Sequence, residues 1–335
     1  MAIDIGIDLG TASVIVYVKG KGVVLTEPTI VAIDTRTGKI ITFGQKAHDM
    51  LGRTPLHIKA ITPLHDGVIS DYYITEEMIK YFVKKICGNR IVKPRLTICV
   101  PSGVTDVESK AVVEAASTAN VRKVFLIEEP VAAAIGAGID ISKPIGRMIV
   151  DIGGGTTDAA VISLNGVVAK ASVKIAGKKM DEALIRYIRN KHNVLLGDKT
   201  AEQLKINLGN MFDPNEEIVR EAKGRNLVTG LPQIIEINEV ETYEAFEEYA
   251  YSIALMIQSV IERTPPELVA DIAEHGIVMT GGGALLKGLP KYLQYHLNVK
   301  TIVADNPIDC VAKGTGESFD YLTHLTDGFV VSASK

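Results

Sequence analysis

The chain lacks several features that would assign it to a familiar class. Its 335 residues include no tryptophan and three cysteines, and Cys87, Cys99 and Cys310 show no CxxC spacing. A cysteine zinc site and a disulfide framework are therefore not indicated, and a reducing cytosol fits best. The net charge of −4 leaves no basic footprint for nucleic acid, so no nucleic-acid partner is expected.

Long apolar runs are also missing. No uninterrupted stretch approaches the roughly 20 residues of a membrane-spanning helix. The opening segment, MAIDIGIDLG, has no basic region and already contains Asp4, so we expect no signal peptide. The composition, 47% hydrophobic and 23% charged, is typical of a folded protein with room for two domains. We expect a protein that is soluble or lies on a membrane without crossing it.

The most informative feature that is present is a long-range duplication. Residues 5–20, IGIDLGTASVIVYVKG, and residues 148–166, MIVDIGGGTTDAAVISLNG, share one order of features. Each has an apolar strand, an aspartate (Asp8 or Asp151), a glycine-rich turn with hydroxyl side chains, and a second strand. The copies lie about a domain's length apart. We therefore predict two related α/β lobes, each beginning with a β-hairpin whose turn faces the other lobe.

Strand-like and helix-like patterns alternate along the rest of the chain. RLTICVP (95–101) and KVFLIEEP (123–130) predict buried strands. TDVESKAVVEAASTAN (105–120) predicts a helix, because Thr105 and Glu108 have capping-box spacing. The alternation predicts largely parallel sheets covered by helices. Further helices are predicted at VAAAIGAG (131–138), MDEALIRYIRNKH and ETYEAFEEYAYSIALMIQSVIERT, and insertions at residues 29–74 and 182–240.

The glycine turns have the composition of a phosphate site. Backbone N–H groups reach a phosphate most easily through glycine, because a Cβ blocks the approach and some positions need positive φ. Neighbouring hydroxyls add donors. An aspartate beside a phosphate is repulsive unless a cation separates them, and Mg²⁺ needs few carboxylates, so Asp8 and Asp151 imply magnesium. The phosphate-binding residues predicted in this way are Gly10, Thr11, Ser13, Gly153, Gly154, Gly155, Thr156 and Thr157.

One such turn alone has a simpler explanation, a tight hairpin in a core whose aspartate caps its own turn. Two copies, together with a third glycine-rich turn in TGGGALL (280–286), favour a nucleotide cleft over three structural turns. The sequence has no GxxxxGK[ST], which argues against a P-loop protein. It also has no GxGxxG after the first strand, which disfavours a dinucleotide-binding fold.

These motifs together resemble a known superfamily. IGIDLGTAS, FLIEEPVAAAIGAG, VDIGGGTTD, GIVMTGGGALLKGL and AKGTG are similar to the phosphate, connecting and adenosine motifs of actin, sugar kinases and Hsp70. GKGVVLTEPTIVAID, KPRLTICVPSGVTDVE and TAEQLKINLG narrow the resemblance to the bacterial actin MreB family over most of the chain. It implies an α/β actin-like ATPase fold, with two RNase H-like lobes flanking a nucleotide cleft. Lobe I would comprise residues 1–138 and 311–335 and lobe II residues 139–310, and each would carry one insertion as a small subdomain.

The resemblance also implies residue roles in binding and hydrolysing ATP to ADP. Asp8 and Asp151 would orient hydrated Mg²⁺. Glu129 and Thr156 would position the hydrolytic water, with Glu128 as the rival acid; one of the two acids could instead cap the next helix. The family usually has Glu where this chain has Asp158, which bears on the hydrolysis rate. The nucleotide-binding residues implied are Gly10, Thr11, Ala12, Ser13, Gly153, Gly154, Gly155, Thr156, Thr157, Glu202, Lys205, Gly281, Gly282, Gly283 and Ala284.

Self-assembly and an anionic membrane surface are the partners that the resemblance implies. Ile91 and Val92 match a loop that dips into the bilayer, although composition alone fits the start of the strand at Leu96 equally well. Val107 matches a contact that pairs antiparallel protofilaments, although core packing explains its helix as well. The implied protein is cytoplasmic and peripheral at the inner face of the cell membrane. Its filaments would determine cell shape, with cell-shape or wall-synthesis proteins as further partners.

Two other functions of the superfold stay open at this point. A small-molecule kinase would need a base aimed at a substrate hydroxyl, and the insertions could host one, but no further substrate motif is visible. An Hsp70-like chaperone would append a peptide-binding domain, and none is expected because the sequence ends at Lys335. In any of these proteins the lobes would close like a hinge, with residues 130–138 and 311–322 as the crossing helices.

Overall fold

A computed structural model describes residues 3–88 and 92–321 and the backbone of residues 329–331. The strands are β1 (Asp4–Leu9), β2 (Ser13–Val18), β3 (Gly22–Pro28), β4 (Val31–Asp34), β5 (Lys39–Phe43), β6 (Ile58–Ile61), β7 (Leu64–His65), β8 (Val68–Ile69), β9 (Arg95–Val100), β10 (Lys123–Glu128), β11 (Arg147–Ile152), β12 (Thr157–Ser163), β13 (Gly166–Val173), β14 (Val194–Leu195), β15 (Val219–Asn226), β16 (Pro232–Asn238), β17 (Ile277–Thr280), β18 (Thr301–Val303) and β19 (Phe329–Val331). The helices are α1 (Gln45–Asp49), α2 (Tyr72–Cys87), α3 (Asp106–Ser117), α4 (Glu129–Gly136), α5 (Gly177–His192), α6 (Asp198–Leu208), α7 (Glu239–Glu262), α8 (Pro266–His275), α9 (Leu289–Leu297) and α10 (Cys310–Glu317), with 3₁₀ turns at Gly282–Leu285 and Ser318–Asp320.

Two large mixed sheets repeat one topology. Their strand orders are β19-β10-β9-β1-β2-β3 and β13-β12-β11-β17-β18. In each sheet an antiparallel hairpin, β1–β2 or β11–β12, carries a third antiparallel strand on one side and a parallel strand on the other. Both pairings with the third strand contain a register shift, at Val16/Tyr17 and at Val161/Ile162. This repetition confirms the predicted α/β fold of two related lobes, but the prediction of largely parallel sheets was wrong, because antiparallel pairings, those of the hairpins among them, make up at least half of the pairings in each sheet.

Local signals in the sequence explain two helix starts, of which the start of α3 is as predicted and that of α4 is not. At α3, the N–H of Glu108 donates to Thr105 Oγ1 at 3.3 Å and the N–H of Thr105 donates to Glu108 Oε2 at 2.7 Å, which completes the capping box. Helix α4 begins at Glu129, two residues before the predicted start at Val131. Pro130 explains the earlier start, because its fixed φ suits the first helical turn.

Helices α4 and α10 cross between the lobes, and glycine permits the crossing. A Cβ on Gly314 would lie 1.7 Å from the carbonyl oxygen of Ala132, and a Cβ on Gly136 would lie 1.8 Å from that of Cys310. Both contacts are far shorter than van der Waals distance, so the backbones touch directly. The crossing elements are those that the sequence predicted, and α4 itself is fully buried.

Two three-stranded sheets lie within the predicted insertions. The sheet β5-β4-β6 falls inside residues 29–74, and β14-β15-β16 falls inside residues 182–240. Residue 182 itself lies within α5, and the small sheet begins only at Val194. The exact lobe limits stay a prediction. In the parts of the chain that the structure describes, no helix combines the length and apolar character needed to cross a bilayer.

Candidate functional site

A cavity of about 380 Å³ lies between the lobes, where the turns of the two hairpins face each other. A Cβ on Gly154 would lie 2.6 Å from the Cβ of Ala12, and a Cβ on Gly155 would lie 2.4 Å from Thr11 Oγ1. The turns therefore approach so closely that side chains at both glycines would force them apart. The two copies of the motif thus form one shared cavity, whose two walls come from different lobes.

The reason for glycine differs from turn to turn. The sequence argument expected positive φ at some of these positions, but among the glycines of the three turns only Gly281 has it, with φ 79°. A Cβ on Gly281 would also meet the carbonyl oxygen of Ile152 at 2.3 Å. For Gly154 and Gly155 the requirement comes from the close approach of the opposite turn, whereas a Cβ on Gly10 would meet the carbonyl oxygen of Ser13 in its own turn at 2.8 Å.

Most of the predicted binding residues line this cavity. Thr157 and Ala284 do not: the Thr157 hydroxyl donates to the carbonyl oxygen of Ile175 at 2.6 Å, and Ala284 is buried in the lobe II core. Thr157 therefore stabilises the hairpin and does not face the cavity. The predicted residues that line the cavity are Asp8, Gly10, Thr11, Ala12, Ser13, Glu129, Asp151, Gly153, Gly154, Gly155, Thr156, Glu202, Lys205, Gly281, Gly282 and Gly283.

Asp8 and Asp151 are the residues that the sequence predicted to hold a metal. Burial raises the pKa of Asp8 to about 6 and that of Asp151 to about 7. Their protein partners are neutral: Cys99 Sγ donates to Asp8 Oδ1 at 3.2 Å, and Thr280 Oγ1 donates to Asp151 Oδ1 at 2.6 Å. No cluster of three or more metal-ligating side chains occurs among the described residues. Two carboxylates beside a phosphate cradle fit Mg²⁺, which keeps waters and takes further oxygens from phosphates.

The rival acids Glu128 and Glu129 have different surroundings. Glu129 is buried and lines the cavity, and burial together with the carboxylates of Asp158 and Asp151 raises its pKa well above the usual value. Glu128 stands at the N-cap position of α4 and pairs with Lys170 of lobe II at 2.6 Å. Glu129 is therefore the acid that can reach a ligand, whereas Glu128 forms an ion pair between the lobes.

Asp158, which the sequence resemblance singled out as a departure from the usual Glu, lies behind the cavity wall. It is fully buried, and its Oδ1 accepts the N–H of Ser102 in lobe I at 2.8 Å. Burial raises its pKa to about 6. Asp158 thus links the two lobes next to Glu129 but does not line the cavity.

Several lining residues were not predicted from the sequence. Ile206, Leu285 and Ile308 are exposed apolar side chains on the cavity, as expected where the flat face of a base packs. The sequence shows only that Lys178 lies two residues before the predicted helix MDEALIRYIRNKH. That position does not indicate what the Lys178 side chain faces. The full set is Ile15, Gly67, Gly177, Lys178, Met180, Ile206, Leu285, Leu286, Ile308 and Val311.

The predicted surface residues lie away from the cavity. Ile91 falls outside the described residues. Val92 is 54% exposed and precedes the strand β9, so it is not part of the buried strand. Val107 is 76% exposed on α3, whereas Val112 and Ala115 of the same helix are buried in lobe I. Core packing therefore accounts for Val112 and Ala115 but not for Val107.

Comparison with known proteins agrees with this architecture over nearly the whole chain. The family model described as MreB/Mbl protein matches residues 2–327. Cell shape-determining protein Mbl of Bacillus cereus is 49% identical over 96% of this chain and 97% of the relative. Cell shape-determining protein MreB of Escherichia coli is 46% identical over 95% and 94%. The crystal structure of MreB 5 of Spiroplasma citri bound to AMPPNP superposes with a TM-score of 0.91 and is 36% identical, covering 96% of this chain and 97% of that one. A match of this extent in both sequence and fold shows that the chain belongs to the MreB/Mbl family.

Proposed function

We propose that this chain is a cytoskeletal, ATP-binding protein that polymerises and determines cell shape. The observation that carries the proposal is the cavity between the two hairpin turns that begin with Asp8 and Asp151. This cavity has glycines where the backbone would contact a ligand and carboxylates where a metal would bind. Related proteins of 46–49% identity are named as cell shape-determining, and a solved relative is bound to AMPPNP in the same fold. No feature of the cavity favours the small-molecule kinase alternative.

Within the cavity, we assign ATP hydrolysis to residues on both walls. Glu129 with Thr156 orients a water for attack on the γ-phosphorus; the new P–O bond forms as the bond from that phosphorus to the ADP oxygen breaks, and the proton lost by the water passes to the released phosphate. Asp8 and Asp151 would hold hydrated Mg²⁺, which would neutralise phosphate charge when bound. Glu202 and Lys205 on α6 border the sugar and base. Support comes from the place of all these side chains on one cavity.

Outside the cavity, we propose self-association at α3 and attachment to an anionic membrane through the loop of Ile91 and Val92. The exposure of Val92 and Val107 supports both assignments, because a buried side chain could do neither. A single loop gives weak attachment, and repetition of the loop along a filament would make it firm. The protein then acts at the inner face of the cell membrane, where cell-shape or wall-synthesis proteins are further partners.

Sedimentation and electron microscopy with ATP and Mg²⁺, with and without vesicles of anionic phospholipid, test this function. We expect filaments that need nucleotide and that co-sediment with the vesicles. Monomers under every condition, together with phosphate transfer to a sugar, would reject the proposal. For the membrane part, serine at both Ile91 and Val92 should reduce co-sedimentation, with Val24→Ser as a control at another exposed valine.

A further inference from the structure

Among the described residues that line the cavity, one basic side chain has no ion-pair partner. The charged groups of this lining are Asp8, Glu129, Asp151 and Glu202 on the acidic side and Lys178 and Lys205 on the basic side. Acids thus outnumber bases on a surface proposed to take a polyanion. A lysine whose charge is not neutralised by a neighbouring carboxylate is therefore especially important for binding such a ligand.

The two lysines differ in this respect. Lys205 Nζ forms an ion pair with Asp181 Oδ1 at 2.8 Å and donates to the carbonyl oxygen of Gly177 at 3.0 Å. For Lys178, no carboxylate of the described residues lies within the 4.0 Å limit of an ion pair. Its Nζ instead donates to Thr62 Oγ1 at 3.5 Å. The acids around it, Glu202, Asp181, Asp66 and Glu182, act on it only at longer range.

Lys178 contacts both the glycine-rich turn of residues 153–155 and the opposite lobe. It is the second residue of α5, and its N–H donates to the carbonyl oxygen of Gly154 at 2.9 Å. Its side chain reaches Thr62, which belongs to the inserted segment of lobe I. Burial lowers the pKa of Lys178, as expected for an ammonium that has left water without gaining a counter-ion. An ammonium carries three donors, so it can bind a phosphate oxygen and keep Thr62.

We propose that Lys178 is a positioning and specificity residue of the nucleotide site. Its ammonium binds the polyphosphate from the lobe II side and, through Thr62, holds lobe I against the bound nucleotide. The inference rests on the proposed nucleotide binding and adds to it a latch that slows release and selects phosphorylated ligands over the bare nucleoside. No other cation among the described cavity-lining residues is free of an acidic partner to do this.

The test compares affinities for ADP and adenosine, and the release rate of a fluorescent ADP, in the presence of Mg²⁺. Lys178→Met keeps the length of the side chain and removes its charge. We expect it to weaken ADP binding about tenfold, the usual effect of losing one charge-assisted hydrogen bond. Release should accelerate accordingly, and adenosine affinity should stay the same. Lys178→Arg should restore most of the ADP affinity, and Thr62→Val should accelerate release without affecting adenosine.

The matched control is Lys179→Met, one residue along, because Lys179 pairs with Glu182 at 3.3 Å and does not line the cavity. Unchanged ADP affinity in Lys178→Met would overturn the inference. Equal losses for ADP and adenosine would also overturn it, because they would indicate damage to the cavity as a whole. If the unmodified protein binds neither ligand, the proposed nucleotide binding itself has failed, and this result is visible before any variant is made.

Discussion

Replacing Asp151 with asparagine should make the ligand-free protein more stable and at the same time less able to bind nucleotide with Mg²⁺. Asp151 is 4% exposed, and its Oδ1 accepts the hydroxyl of Thr280. Asparagine keeps that oxygen as an acceptor and removes the charge. The substitution therefore isolates the free energy of holding an uncompensated carboxylate in the cavity wall.

The magnitude follows from linkage between ionisation and folding. Burial raises the pKa of Asp151 from 3.8 to about 7, so the folded state holds this proton more tightly than the unfolded state. The contribution of Asp151 to the free energy of unfolding is fully present below pH 4 and is lost as the pH rises to about 7. At pH 8 the loss amounts to about 4 kcal/mol, and at pH 5 to less than about 2 kcal/mol. The amide side chain of the variant does not ionise and avoids the loss.

Urea denaturation of nucleotide-free protein in EDTA, at pH 8 and pH 5, measures this difference. We expect Asp151→Asn to exceed the parent in unfolding free energy at pH 8, and the gain to shrink at pH 5. Asp140→Asn is the control, because Asp140 is exposed and hydrogen bonds from Ser142 lower its pKa, so no gain is expected at pH 8. If Asp151→Asn is no more stable than the parent at either pH, the carboxylate is not the uncompensated charge described above.

Three further predictions concern other parts of the site and the fold. Glu129→Gln should lower phosphate release by about tenfold or more with ADP affinity unchanged; a normal steady-state rate would reassign the water to another acid. ADP affinity measured with Mg²⁺ should fall as the pH is lowered from 8 towards 5.5, because Asp8 and Asp151 take up protons near pH 6 and 7; a flat profile in calorimetry would contradict the metal assignment. Gly314→Ala should lower the melting temperature and destabilise the protein by about 3 kcal/mol, since its Cβ would lie 1.7 Å from a carbonyl oxygen of α4; Gly197→Ala, which meets nothing within 4 Å, is the control.

Periodicity and composition by themselves determined the main elements of this protein. The duplicated motif predicted two hairpins and hence two related lobes, because strand alternation, an aspartate and a glycine turn are all local signals. The capping box at Thr105 predicted the start of α3 for the same reason: both of its hydrogen bonds lie within four residues of chain. Residues such as Asp8 and Gly155 could be predicted to form a phosphate site, because an aspartate next to a glycine-rich turn suits few other functions.

Only the tertiary structure decided what each side chain faces. Glu128 and Glu129 are adjacent in sequence, yet one pairs with Lys170 while the other lines the cavity. Thr156 and Thr157 are likewise adjacent, at the end of the turn and the start of β12, yet Thr156 lines the cavity and the Thr157 hydroxyl donates to Ile175. The hydrogen bond from Lys178 to Thr62, far away in the chain, likewise forms only in the folded protein. Contacts between distant segments depend on how the lobes pack, and no local pattern of residues encodes that geometry.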